Sequence, residues 1–410
     1  MAKAPAMTRF VVVGIGADGW PGLSGRARDA LADAAVVYGS ARQVSLIDGH
    51  VAGRAVPWTS PMSDHLRDVL ADRTEPVVHV LASGDPMFHG IGTTIVNAVG
   101  RDRVTVISAP SSVSLAAAEL GWDLATTVVV STVTAPPEAV VPELGDGVRL
   151  LVLSRDGSTP AALAALCDDH GFGRTGVTVL ENLGGGGQAM RSGTASEWDR
   201  TPCAPLNIVA LDCRGPSASR APGLPDGVYV SDGQLTKQTV RALTVSALRP
   251  AAGQLLWDVG AGSGSIGIEW LRATRDGRVV AFEADRDRAV TVRRNAERLG
   301  VGHRLTLAGS VPQAFAAAPS PDTVFLGGGA DRTVLDDAWR ALAPGGLIVG
   351  NAVAIETQQL FVDAHARLGG SLTRISVERA APLGTMSAWR PALPIIQWAA
   401  VKDAATQEDS

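Results

Sequence analysis

Two glycine clusters carry the clearest chemical meaning in this chain. The first follows the apolar run Phe10–Val13 and holds Gly14, Gly16 and Gly19; the second follows Gln254–Val259 and holds Gly262, Gly264 and Gly267. Each has the spacing G-x-G-x-x-G, which taken alone is a weak sign of a dinucleotide site. Glycine at a strand end lets the backbone approach a ligand closely. In the first cluster Trp20-Pro21-Gly22 intervenes before any helix can start. A tight strand-to-helix turn is therefore expected there, because a pyrophosphate seat needs the helix N-terminus directly after the glycines. The second cluster has Asp258 two residues before Gly260, and Glu283 stands 23 residues after Gly260. An acid at that strand end is placed to accept hydrogen bonds from a ribose diol. The ribose belongs either to a nicotinamide dinucleotide or to S-adenosylmethionine, which has no phosphate and presents a sulfonium, an amino acid and an adenosine.

The elements that position these loops are alternating strands and helices, the pattern of α/β sheets. In the first half strands are expected at Arg9–Val13, Val77–Leu81, Arg103–Ile107, Leu150–Leu153, Val177–Leu180 and Asn207–Leu211, and helices at Gly25–Ala34, Ile91–Val99 and Pro160–His170. Ser111 or Ser112 can cap a further helix running to Leu120. Gly184–Gly187 reads as a flexible loop between the last two strands. In the second half strands are expected at Gln254–Val259, Arg278–Phe282, Arg304–Leu307, Thr323–Leu326 and Leu347–Val349, with helices at Ser265–Arg272, Arg286–Leu299, Thr333–Leu342 and Glu356–Leu368. The tail differs: Leu372–Arg379 and Pro394–Val401 read as two strands joined by the long loop Ala380–Leu393. That helix-free ending fits a seven-stranded methyltransferase sheet, whose last strand is antiparallel, better than an all-parallel dinucleotide sheet.

A seam rich in Pro, Gly and Ser runs from Cys213 to Asp226 and reads as a linker. It predicts a domain over 1–213, a linker over 214–225 and a second domain over 226–410. The chain has 410 residues, 46% hydrophobic and 19% charged, enough for more than one core and not the composition of a disordered chain. Its net charge of −5 argues against nucleic acid as partner. Lys3, Lys237 and Lys402 are the only lysines, so arginine supplies most of the cations. The three cysteines form no C-x-x-C, and the histidines have no ligand spacing; no disulfide framework and no metal are expected. No apolar run approaches the roughly 20 residues of a membrane helix. A cytoplasmic protein is the expectation, and Cys167, on a helix with Leu163 and Leu166, reads as core.

At this point the motifs become specific. Gly223-Leu224-Pro225-Asp226-Gly227, Leu235-Thr236-Lys237, Val240-Arg241-Ala242-Leu243, the block Asp258–Trp270, Phe325–Gly329 and Leu342–Gly346 resemble the precorrin C15-methyltransferase/decarboxylase domain. Val13–Gly16, Ala82-Ser83-Gly84-Asp85-Pro86, Ala109–Ser114 and Glu181–Gly184 resemble the two-lobed tetrapyrrole methyltransferase fold. Their order in one chain resembles the fused precorrin C5,15-methyltransferase/decarboxylase family of cobalamin (vitamin B12) biosynthesis. The resemblance implies methylation of precorrin-6B at C5 and C15, loss of CO2 from an acetate side chain, and precorrin-8X as product. It implies two S-adenosylmethionine sites per chain, a tetrapyrrole as substrate and a homo-oligomer.

It also implies site residues. In the first half Gly14, Gly16, Gly84, Asp85, Met87 and Phe88 would line the cofactor, Ser111 and Ser112 would offer donors to its carboxylate, and Asn207 with Ile208 and Val209 would border adenine. In the second half Gly260, Ala261, Gly262, Ser263 and Gly264 would line its methionine and ribose, Glu283 would take the ribose hydroxyls, and Ser310 and Val311 would border adenine. A serine stands at 310 where many methyltransferases place an acid. Thr236 would close over the cofactor or cap a helix. Lys237 and Arg241, four apart, would bind substrate carboxylates or form a solvated cationic edge, and Trp389 with Arg390 would roof the macrocycle or anchor a loop. A nicotinamide-dependent oxidoreductase, and a methyltransferase of another substrate with one inactive domain, remain the alternatives.

Overall fold

The computed structural model describes residues 8–72, 74–217 and 219–403; Lys3 and, within the linker, Ala218 lie outside them. The chain divides into two compact units. The residues up to Pro137 and Glu143–Ser217 form the first, and Glu138–Pro142 with the residues after Ser217 form the second.

The first unit has two lobes. One is a parallel sheet of β1 (Arg9–Ile15), β2 (Val36–Gly39), β3 (Arg54–Pro57), β4 (Val77–Ser83) and β5 (Val104–Ile107), in the order β3-β2-β4-β1-β5. The helices α1 (Gly25–Ala32), α2 (Ala41–Ser45), α3 (Met62–Ala71), α4 (Ile91–Val99) and α5 (Ser112–Leu120) follow the strands. β1 is apolar on both sides because both faces are covered: Phe10 and Val12 enter one core with Val78, Val80 and Ile95, and Val13 and Ile15 enter another with Leu31 and Leu81. The second lobe is a mixed sheet of β6 (Val128–Ser131), β7 (Arg149–Leu153), β8 (Gly176–Glu181), β9 (Ala189–Thr194) and β10 (Asn207–Asp212), ordered β6-β7-β10-β8-β9, with α6 (Thr159–Asp169) after β7. The loop at Gly184–Gly187 leads into β9, not into β10 as expected. β9 is half polar and mostly exposed, so no apolar alternation marks it in the sequence.

The second unit is one seven-stranded sheet. α7 (Gln238–Ala247) precedes β11 (Leu255–Val259); α8 (Ser265–Ala273), β12 (Arg278–Phe282), α9 (Arg286–Arg298), β13 (Leu305–Ala308), β14 (Thr323–Leu326), α10 (Arg332–Ala341), β15 (Leu347–Ala352), α11 (Ile355–Leu368) and β16 (Ser371–Ile375) follow. Then come β17 (Glu378–Leu383), β18 (Met386–Pro391) and β19 (Ile395–Val401). The order is β13-β12-β11-β14-β15-β19-β16, with β19 antiparallel to both of its neighbours. Trp257 and Val259 pack with Phe315 and Leu335 on one face, and Leu256 with Ile268 and Trp270 on the other. The segment expected as the loop Ala380–Leu393 largely forms a separate hairpin, β17 with β18. Among the described residues no helix is long and apolar enough to cross a membrane.

Two candidate cofactor clefts

The first cleft forms where three backbone turns of the first unit meet. A Cβ on Gly14, near the end of β1, would collide with the carbonyl of Gly84 and lie 2.7 Å from the amide of Ala109. Gly84 itself has φ +60, a conformation that glycine adopts without a steric cost. The sequence therefore folds Val13–Gly16, Ser83–Asp85 and Ala109–Ser112 into contact because glycine stands at each close approach. Asp85 closes its own turn by accepting the Met87 amide at 2.8 Å. Ser111 caps α5, accepting the Ser114 amide at 3.1 Å.

A cleft opens there. It brings together Gly16, Gly84, Ser112 and Asn207, all expected from the sequence, with Ile15, Ala17, Pro110, Leu115, Leu180, Leu183 and Leu206. Asn207 Nδ2 donates to the carbonyls of Ala204 (2.8 Å) and Asp156 (3.2 Å). Its buried Oδ1 has no hydrogen-bond partner among the described residues. Met87 and Phe88, 44% and 39% exposed, lie in the turn after Gly84 and do not line this cleft. Ser83 and Arg42 do line it and were not read from the sequence. The sign for Arg42 was available: Ser40-Ala41-Arg42-Gln43 has the S-x-x-Q spacing of a capping box, which the structure forms.

The second cleft sits over the second glycine cluster. Gly262 and Ser263 form its floor, and Ser231, Asp232, Asp285, Asp287, Arg288 and Thr291 surround them. Gly260 has φ +71, and a Cβ there would collide with the carbonyl of Gly328, so the loop after β14 packs onto the glycine turn. Glu283 accepts the Gly262 amide at 2.7 Å and the Asp285 amide at 3.0 Å, which fixes the carboxylate against the turn. Asp258 lies beneath, 1% exposed, and accepts the Gly267 amide at 3.0 Å. Its other oxygen has no partner among the described residues. Burial pushes the Asp258 carboxyl up to about 7, against the Gly267 bond and with help from the charge of Glu283. The Asn295 side chain donates to the Val230 and Ser263 carbonyls, each at 2.9 Å, and accepts the Val230 amide at 3.0 Å. It thereby holds the segment bearing Ser231 and Asp232 against the floor, a role its place within α9 concealed. Arg288 pairs with Asp232 at 2.8 Å. Asp232 lies below the ordinary carboxyl range through the Gln234 amide first and the Arg288 guanidinium next.

One expected ligand is corrected. Arg241 is fully buried and cannot reach a substrate or form a solvated edge. Its Nε donates to Glu269 at 2.5 Å, Nη1 to Asp226 at 3.2 Å and to the Thr236 carbonyl at 2.5 Å, and Nη2 to the Leu224 carbonyl. Glu269 in turn accepts the amides of Gly223 (2.5 Å) and Leu224 (3.0 Å) and the Tyr229 hydroxyl (3.2 Å). A buried cation needs partners in this number, because desolvating it costs several kcal/mol. Arg241 thus ties the Gly223–Thr236 segment to α7 and α8. Lys237 is exposed at the head of α7, and Thr236 contributes its carbonyl to Arg241. Ser310 is exposed and Val311 half-buried beyond β13. Trp389 is 70% exposed, and Arg390 reaches the Pro382 carbonyl of its own hairpin at 3.4 Å. Cys167 is fully buried, and burial pushes its thiol up to about 12, so it is core and no nucleophile.

Comparison with known proteins follows this division. Residues 9–199 match the family of tetrapyrrole (corrin/porphyrin) methylases, and residues 227–402 match the precorrin methyltransferase domain. The chain is 42% identical over 398 residues to the precorrin-6Y C(5,15)-methyltransferase (decarboxylating) of Sinorhizobium sp, covering 96% of each chain. It is 42% identical over 397 residues to the protein of that name from Mycobacterium tuberculosis (strain CDC 1551 / Oshkosh), covering 96% of this chain and 100% of the relative. The crystal structure of the C-terminal domain of precorrin-6Y C5,15-methyltransferase from Rhodobacter capsulatus is 42% identical, covers 45% of this chain and 100% of that one, and aligns with a TM-score of 0.44.

Proposed function

The chain belongs to the precorrin-6Y C(5,15)-methyltransferase (decarboxylating) family, and on that premise we propose that its two clefts divide the work, each holding one S-adenosylmethionine. The first unit methylates precorrin-6B at C5. The second methylates C15 and releases CO2 from an acetate side chain, giving precorrin-8X in cobalamin synthesis. The domains run over 1–213 and 226–410, joined by 214–225.

The observation that carries this reading is the charge of the second cleft. Asp232, Asp285 and Asp287 line it, and its one cation, Arg288, is already paired with Asp232. Two amides of the glycine turn and helix start are already occupied: Gly262 donates to Glu283 and Gly267 to Asp258. Such a wall repels a diphosphate and suits a cationic ligand bearing an ammonium and a sulfonium. The charge of this wall argues against the nicotinamide alternative. In the first cleft Gly16, Gly84 and Ser112 line the opening, and the free Oδ1 of Asn207 fits an exocyclic amine such as that of adenine.

When bound, S-adenosylmethionine supplies a methyl group on a cationic sulfur. The carbon acceptor of a reduced tetrapyrrole is electron-rich, and its conjugated ring can hold the electron pair left by CO2. The residues of this chain then have to orient the partners and exclude water, and orientation alone is worth on the order of 7–11 kcal/mol. Glu283, held against the Gly262 turn, and the surrounding carboxylates of Asp232, Asp285 and Asp287 set the position of the ligand over the second floor. Exposed Lys237 and Arg390 are assigned to peripheral carboxylates of the substrate, and the buried free thiols fit a reducing cytoplasm. The intact chain, incubated with labelled S-adenosylmethionine and precorrin-6B, is expected to add two methyl groups and release one CO2. A product with neither change overturns the assignment.

A further inference from the structure

Arg42 is the one charged residue among those lining the first cleft. It is half-buried, and among the described residues no carboxylate lies in ion-pair range of it. Its guanidinium makes a single side-chain hydrogen bond there, from Nη2 to Ser83 Oγ at 3.2 Å. Two other arginines in this chain meet carboxylates: the buried Arg241 pairs with Glu269 and Asp226, and Arg191 lies 3.8 Å from Glu181. Burial depresses the pKa of Arg42, so its desolvation is not offset within the protein.

The position of Arg42 is nevertheless fixed. Ser40 and Gln43 close the capping box at 2.7 and 3.2 Å, and Gln43 Nε2 donates to the same Ser83 Oγ at 3.1 Å. One edge of the guanidinium is thus anchored to the end of β4 while its remaining donors are uncommitted. A planar fork held in this way is complementary to a carboxylate.

We propose that Arg42 receives a ligand carboxylate in the first cleft, and that it is a binding residue for the methyl transfer assigned to that cleft. The inference rests on that assignment. The carboxylate comes either from the amino acid of the cofactor or from an acid side chain of the tetrapyrrole, and the two sources separate in one experiment.

Intact wild-type, Arg42→Met and Arg42→Lys proteins are titrated by calorimetry with S-adenosylhomocysteine and with its analogue lacking the carboxylate. The KM for precorrin-6B is then measured from the yield of each methylated product. Losing a charged hydrogen-bond partner is expected to weaken the affected step roughly 10- to 100-fold, with lysine recovering part of it. If the cofactor supplies the carboxylate, Arg42→Met binds S-adenosylhomocysteine weakly at one site only, and it no longer distinguishes the two ligands. If the substrate supplies it, cofactor affinity is unchanged and KM for one methylation rises while kcat is kept. Unchanged cofactor affinity and unchanged KM overturn the proposal, as does an equal loss of affinity for both ligands in the two variants relative to wild-type. Binding at the second cleft serves as the control for folding. Failure of the underlying assignment has a different signature: the wild-type protein itself then binds no cofactor at the first cleft.

Discussion

Asp258 and Arg241 illustrate how burial decides what an ionisable residue does. The Asp258 carboxyl titrates near 7 in the folded chain against the ordinary 3.8. Its raised value means that the folded state holds the proton more tightly, so stability is greatest below about pH 4 for this group and is lost as pH rises toward 7. The separation corresponds to as much as ~4 kcal/mol. Asp258→Asn keeps an acceptor for the Gly267 amide and removes the titration, so the fall in unfolding midpoint between about pH 4 and 7 should flatten. Parallel pH profiles for the two proteins would contradict this account. For Arg241→Met, removing one partner of a buried pair leaves Glu269 uncompensated and is expected to cost about 3–5 kcal/mol. The readout is a lowered denaturant midpoint for the second unit. A rise in substrate KM at unchanged stability would return Arg241 to the role first expected of it. The sequence could not distinguish these roles, because the partner of Arg241 lies 28 residues away on α8 and no local spacing announces it.

At the scale of elements, the glycine turns were legible and the polar strands were not. Gly14 and Gly260 each mark a place where a second backbone crosses too close for a Cβ, and both were read from their position after an apolar run. The cap of α5 was read as Ser111 or Ser112, and the structure uses Ser111. β3, β9 and the β17–β18 hairpin escaped because their exposed residues lack the period-two pattern that half-buried strands show, and the short apolar strands β2 and β6 escaped as well. The same logic gives a prediction for the turns. Gly14→Ala forces apart the loops at Gly84 and Ala109, so the first cleft should lose its cofactor. The product would lack one methyl group while the second methylation proceeds, and product mass checks this. A doubly methylated product from Gly14→Ala at the wild-type rate would show that the convergence of these loops does not matter.

At the scale of the whole molecule, the chain is two compact units whose division after Ser217 falls within the segment read as a linker. That seam was visible because Pro, Gly and Ser cluster between two strongly patterned halves. The walls of the clefts were less visible, because Arg42, Asp232, Asp285 and Asn295 come from segments brought together only by folding. The central claim is that each unit binds one S-adenosylmethionine. Calorimetric titration of the intact chain with S-adenosylhomocysteine tests it most directly: two molecules per chain are predicted, and Gly260→Ala should reduce the count to one. A wild-type stoichiometry of one, or a count left unaltered by Gly260→Ala, would contradict it.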